Sequence, residues 1–176
     1  RQFMQPTGVC VDKNGDIYVA DWGNHRICKW DGAGNAIGWI GGGSDGWQTG
    51  SAPNSGLGPR EFSNPSHVIV KNGFLYISDE QNHRVCQWST AGIFVGWIGD
   101  GFTGWQTISC SRTPSNSFAF FNQPEGLFID DFDQLYVADR WNHRICRWMV
   151  STGTALDWIG GGFGLWQTGS GASSGN

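Results

Sequence analysis

Three residue types capable of acid–base chemistry recur together in this 176-residue chain. An aspartate, a histidine and an arginine appear as Asp21, His25 and Arg26, as Asp79, His83 and Arg84, and as Asp139, His143 and Arg144. A carboxylate, an imidazole and a guanidinium held close together are the parts of a proton-transfer site. Their threefold recurrence argues for a different job. A catalytic group is ordinarily needed once, whereas a residue found at the same place in every copy of a repeat builds that repeat. Each aspartate is therefore expected to accept hydrogen bonds from turn amides and from the nearby His or Arg, fixing a corner of the backbone.

A second recurring set is Trp47-Gln48, Trp105-Gln106 and Trp166-Gln167, each followed by threonine in a glycine-rich loop. An indole face beside an amide and a hydroxyl can stack on a sugar ring and bind its hydroxyls, and several such loops would add avidity. The same residues can equally fold back to seal the gap between neighbouring units. Two candidates are not repeated. His67 stands where the other units have Gly8 and Gly126, and Glu125 stands where they have Thr7 and Ser66. They are candidates for a ligand or metal site, or for a rim that holds water. Three of the four histidines belong to the repeat, so only His67 is left over. No C-x-x-C occurs, and no Ser/His/Asp or Cys/His set stands apart from the repeat. From the residues alone, a non-catalytic protein with no cofactor and no metal is expected.

Composition narrows the partners. Charged residues make up 15% of the chain and the net charge is -4, so there is no basic field to gather phosphates and nucleic acid is not expected as a partner. No apolar run approaches the ~18 residues of a membrane helix. The chain opens on Arg1 without a secretory signal, which points to a processed chain or part of a longer one. Scarce lysine and long polar loops suggest an extracellular or secreted protein. Cys28, Cys86 and Cys146 repeat and read as small buried hydrophobes. Cys10 and Cys110 do not repeat and form a candidate disulfide. The 28 glycines and 11 tryptophans suit an all-β protein of many short strands and tight turns.

The elements that must position these residues follow from the stretch NHRICKW (24–30), which returns as NHRVCQW (82–88) and NHRICRW (142–148). In the first unit GVCVD (8–12) and DIYVAD (16–21) flank Lys13-Asn14-Gly15, a strong hairpin signal. RICKWD (26–31) and AIGWIGG (36–42) continue a four-stranded meander, and the long loop 44–61 follows. Phe3, Phe62 and Phe121 lie 59 residues apart, as do Pro6, Pro65 and Pro124. The units are therefore placed at about 1–61, 62–120 and 121–176 of a single domain. Both faces of each strand carry apolar residues, so each small sheet needs a neighbour on either side. That is the logic of blades around an axis, a β-propeller of four-stranded antiparallel blades.

The pattern Pro-x-Gly-Val-x-Val-Asp, Asn-Gly-x-Ile-Tyr-Val-Ala-Asp and Asn-His-Arg-Ile resembles the NHL repeat. The resemblance implies a four-stranded blade per unit with the GVCVD-type strand nearest the axis, which places His67 and Glu125 at the mouth of the central channel. It also implies five or six blades in the ring, against three here. Three blades leave two apolar faces uncovered, and faces of that kind mark an interface. The expected partner is a second copy completing a six-bladed ring, with an open fibre or the rest of a longer chain as the alternatives. The leading expectation is accordingly a binding or assembly platform for a protein partner or for itself. A lectin-like protein acting through the Trp-Gln-Thr loops is the alternative. Some relatives of this family are zinc lyases and metal-dependent lactonases, so a third reading places a metal near His67 and Glu125.

Overall fold

A computed structural model describes residues 2–108, 113–161 and 163–169. Among these residues, thirteen strands form three antiparallel sheets. The first blade is β1 (Pro6–Val11), β2 (Ile17–Asp21), β3 (Arg26–Trp30) and β4 (Ala36–Ile40). The second is β5 (Pro65–Lys71), β6 (Phe74–Asp79), β7 (Arg84–Ser89) and β8 (Phe94–Ile98). The third is β9 (Pro124–Ile129), β10 (Gln134–Asp139), β11 (Arg144–Met149) and β12 (Thr154–Gly160), and it gains a fifth strand, β13 (Phe163–Gln167). Strand order follows chain order in every sheet, so each blade is a plain meander.

Local chemistry explains the turns. Asp12 ends the first strand run, and its carboxylate accepts from the backbone N–H groups of Asn14 and Asp16 while the Tyr18 hydroxyl donates to its other oxygen at 3.0 Å. Asp130 does the same with Phe132, Gln134 and Tyr136 in the third blade. This is an Asx turn, in which a short acceptor replaces the backbone partner that the turn lacks. Each second strand then runs into a one-turn 3-10 helix, and His25, His83 and His143 end these turns in the left-handed region, with φ of 53°, 53° and 52°.

Blade register is copied as faithfully as sequence. Asp21 pairs with Arg26, Asp79 with Arg84 and Asp139 with Arg144. The third and fourth strands slip register at the same place each time, between Lys29 and Trp30, Gln87 and Trp88, and Arg147 and Trp148. The first strands of successive blades, β1 with β5 and β5 with β9, lie against one another, as the inner strands of a propeller do.

The core lies between the blades rather than within one. One buried cluster joins Tyr18, Ala20, Ile27 and Ile40 of blade 1 to Val68, Leu75, Ile77, Trp88 and Trp97 of blade 2. A second joins Tyr76, Val85 and Ile98 of blade 2 to Leu127, Val137, Trp148 and Trp158 of blade 3. Blade 2 is therefore sealed on both faces. Its neighbours each have one face sealed and one open.

Candidate functional site

The aspartates and arginines of the three corners are buried, and each aspartate has several partners. Asp79 accepts from Arg84 Nε at 2.8 Å, from Asn82 Nδ2 at 2.8 Å and from the Ser63 backbone N–H at 2.7 Å. Asp21 repeats this with Arg26, Asn24 and Met4, and Asp139 with Arg144, Asn142 and Asn122. Burial pushes the carboxyls of Asp79 and Asp139 up, while the arginine and the other donors pull the other way. A carboxylate with all its partners inside its own blade has no lone pair aimed at a substrate. These groups tie the strand before the corner, the corner and the strand after it into one unit.

The histidines of the first two corners reach across to the next blade. Asn64 N–H donates to His25 Nδ1 at 3.1 Å, and Gln123 N–H donates to His83 Nδ1 at 3.1 Å. Asn64 and Gln123 precede Pro65 and Pro124 and have φ of 55° and 53°. Two residues earlier, Phe62 and Phe121 are completely buried. Each packs on the tryptophan of its own blade, Phe62 on Trp88 at 5.8 Å and Phe121 on Trp148 at 5.3 Å. Each also fills a socket beside a glycine of the preceding blade. A Cβ on Gly41 would lie 2.5 Å from Phe62, and Gly99 is crowded by Phe121 in the same way. Both glycines have φ near +120°, so no other residue suits the position in conformation or in space.

The Trp-Gln-Thr loops fold back on their own blades. Gln48 pairs with Trp39, Gln106 with Trp97 and Gln167 with Trp158. Trp47 packs on Tyr18 and donates its indole N–H to the Thr90 carbonyl of blade 2 at 3.2 Å. Trp105 packs on Tyr76 and donates to the Val150 carbonyl of blade 3 at 2.9 Å. Gln48 and Gln106 spend their amide N–H groups on carbonyls of their own loops. The loops at Trp47 and Trp105 therefore serve as seam seals. Trp166 has the same Tyr136 beneath it and Arg147 at 4.5 Å, but no following blade, and it is 37% exposed. Gln167 bonds the Leu165 carbonyl.

His67 and Glu125 are not brought together as a site. His67 sits half-buried between the inner strands, with Nδ1 accepting from the Leu127 N–H at 2.9 Å and its ring against the Gly8 backbone. Burial holds its pKa below the usual histidine value, so the ring is neutral at pH 7 with its proton on Nε2. Glu125 turns away to pair with Arg140 at 2.6 Å on the open face of blade 3. Among the described residues no three His, Cys, Asp or Glu side chains converge as metal ligands, so the residues present here do not fit a metal centre. Cys10 carries a free thiol that burial and the nearby Asp12 push up to about 12, while Cys110 lies outside the described residues.

The sequence reading missed a groove of about 550 Å³ on the open face of blade 3. Its walls include Ala138, His143, Ile145, Ile159 and Gly160, the counterparts of the residues that line the sockets for Phe62 and Phe121. The available signal was the Phe-x-x-Pro recurrence, which marked the unit boundaries without showing that each boundary segment is a plug.

Three meander blades joined through shared cores define a β-propeller. A family model described as NHL repeat matches residues 3–30 and 121–148. Blades 1 and 3 thus each carry an NHL repeat. It is 30% identical over 156 residues to peptidyl-alpha-hydroxyglycine alpha-amidating lyase 1 of Drosophila melanogaster, a match covering 86% of this chain and 26% of the fly protein. It is 26% identical to NHL repeat-containing protein 3 of Mus musculus, over 82% of this chain and 37% of that protein. Among solved structures, a virginiamycin B lyase from Staphylococcus aureus superposes with a TM-score of 0.58 at 18% identity, over 88% of this chain and 41% of that one. The matches cover between 11% and 37% of the length of the curated relatives. These relatives correct the expectation that the protein is not an enzyme, because relatives matched over most of this chain are named as lyases. That expectation rested on finding no unrepeated catalytic cluster in three blades. A ring can spread its catalytic groups over more blades than these.

Proposed function

We propose that these three blades form part of a closed NHL propeller, completed by further blades, and that the completed ring works as a lyase at its axial mouth. The observation that carries the first half is the mismatch between flanks. Val9 of blade 1 is 63% exposed and Phe128 of blade 3 is 64% exposed, while Val68 and Leu127, the counterparts of Val9, are buried and Ile69, a counterpart of Phe128, is half-buried. Apolar surface in register with two built interfaces needs a blade against it. The lyase half is supported by the amidating-lyase relatives, which match across most of the chain. The substrate class this suggests is a peptide ending in α-hydroxyglycine, and the setting is extracellular or secretory. In this reading the chain contributes rigid corners and a neutral, oriented His67 at the mouth, and the remaining blades complete the reacting groups.

The test is direct. Purified protein, with its assembly mass determined in the same sample, is incubated with a peptidyl-α-hydroxyglycine, and release of the peptide amide is followed by chromatography. Turnover by a closed ring supports the proposal. A closed ring that leaves the peptide intact removes the lyase reading.

A further inference from the structure

The two seams inside the chain are made by the same three contacts, and the chain carries a third, unmated set of the same parts. On the plug side stands Phe3-Met4-Gln5-Pro6, the counterpart of Phe62–Pro65 and Phe121–Pro124. It already has the docking shape. Gln5 has φ 52°, against 55° and 53° for Asn64 and Gln123. Met4 N–H is held by Asp21 at 2.7 Å, as Ser63 N–H is by Asp79 and Asn122 N–H by Asp139. The Met4 carbonyl accepts from Gly23 N–H, as the Ser63 and Asn122 carbonyls accept from Gln81 and Trp141. Phe3 packs on Trp30 at 4.9 Å, in the manner of Phe62 on Trp88, yet it is 38% exposed because nothing lies on its other side.

On the socket side stands the open groove of blade 3. Gly160, with φ +135°, is in the place of Gly41 and Gly99, and it borders the open groove. Among the described residues, no backbone N–H reaches His143 Nδ1 as Asn64 and Gln123 reach His25 and His83. The Trp166 indole lies where Trp47 and Trp105 donate to a carbonyl of the next blade. By the repeat, the carbonyl it lacks corresponds to Gly32.

We propose that the groove on blade 3 is the docking site for the Phe3-Met4-Gln5-Pro6 segment of a second copy of this chain. This deepens the ring-completion reading, on which it rests, by naming the partner and the contacts. Phe3 of the second copy fills the socket at Gly160, its Gln5 N–H donates to His143 Nδ1, and Trp166 donates to its Gly32 carbonyl. The occupant is a second copy because the contact continues an interface built twice already, and because this chain's unmated plug and unmated socket have matching chemistry. Each chain offers one plug and one socket on opposite flanks, so the contact is head to tail. Two such sets of three blades, joined by this contact at both flanks, close into six.

The experiment is light scattering on the intact chain over a range of concentrations, with two variants. Wild type is expected at twice the 19.3 kDa chain mass. Phe3→Ala removes the plug, and Ile145→Glu puts a charge into the socket wall. Both are expected to weaken association by roughly a hundredfold or more, with far-UV circular dichroism unchanged because neither side chain lies in a sealed core. Mixing the two variants is the decisive arm. The mixed pair has one intact seam, and both defects fall in the other, so it should associate more tightly than either variant alone. A wild-type monomer overturns this docking while leaving ring completion by blades of a longer chain standing. A dimer indifferent to both substitutions, a mixture no tighter than its parts, or open oligomers that grow with concentration each overturn it as well.

Discussion

Val9 and Val68 hold the same place in two copies of one strand, yet Val9 is 63% exposed and Val68 is wholly buried. The same holds along the whole face. Val11, Ile17, Val19 and Trp30 are open or half-open, while Val70, Leu75, Ile77 and Trp88 are wholly or mostly covered by blade 1. Blade 3 shows the opposite face open, with Tyr136 and Ala138 half-open and Ile145 exposed where Tyr76, Ser78 and Val85 are sealed. The difference is not in the residues. A blade is written as a two-sided object, and exposure is decided by the company it keeps. Blade 2 shows what the outer blades are shaped for.

The sharpest way to break this comparison is to truncate the same tryptophan in the sealed and the open place. Trp88→Ala leaves a cavity between blades 1 and 2 and should cost about 3–5 kcal/mol in urea unfolding. Trp30→Ala should cost no more than about 1 kcal/mol in a lone chain, because water already reaches that face. If the two cost the same in a monomeric sample, the flanks are not equivalent to the seams and the comparison fails. In an assembled ring the Trp30 cost should rise toward that of Trp88.

Features internal to a blade should be indifferent to neighbours, which gives the second prediction. Asp79→Ala and Asp139→Ala each strand a buried arginine, Arg84 or Arg144, and each should cost about 3–5 kcal/mol. The two values should agree within about 1 kcal/mol by the same urea titration. A much smaller cost in blade 3 would mean that the corner too depends on a covered flank.

Much of this was legible in the sequence. The Asn14-Gly15 turn and the alternation around it place β1 and β2 within about two residues of where they lie, and the threefold Asp-His-Arg recurrence marks where each second strand ends. The sockets were not legible. Gly41 reads as a strand end, and nothing local shows that a phenylalanine 21 residues later occupies the space its missing side chain leaves. The Trp-Gln-Thr loops stayed ambiguous for the same reason, since Trp47 finds its carbonyl 43 residues on, in the next blade. Periodicity reports the face a residue points to. It does not report what will be standing there.

The third prediction isolates that seam bond. Trp105→Phe keeps most of the ring area but deletes the N–H that meets the Val150 carbonyl, and should cost about 1 kcal/mol. Trp166→Phe, with no blade beyond it, should change stability by a few tenths at most in a lone chain. Equal effects would remove the case for the loops as seam seals.

The smallest expected effect concerns the inner strands and depends on pH. His67 accepts the Leu127 N–H at Nδ1, which only a neutral ring does, and burial holds its pKa below the value it has in an unfolded chain. His25 is depressed for the same reason, against an opposing pull from Asp79. A base whose folded pKa is lowered binds its proton more readily when unfolded. The stability it contributes is therefore fully present above the unfolded value of about 6.5 and is lost as pH falls through the folded one. The urea midpoint of wild type should decline on acidification below about pH 6.5. His67→Asn keeps an acceptor for Leu127 but cannot titrate, so its decline should be shallower, with the remainder due to His25 and the carboxylates. Parallel declines in the two proteins would mean that His67 does not hold β5 to β9 as a neutral acceptor.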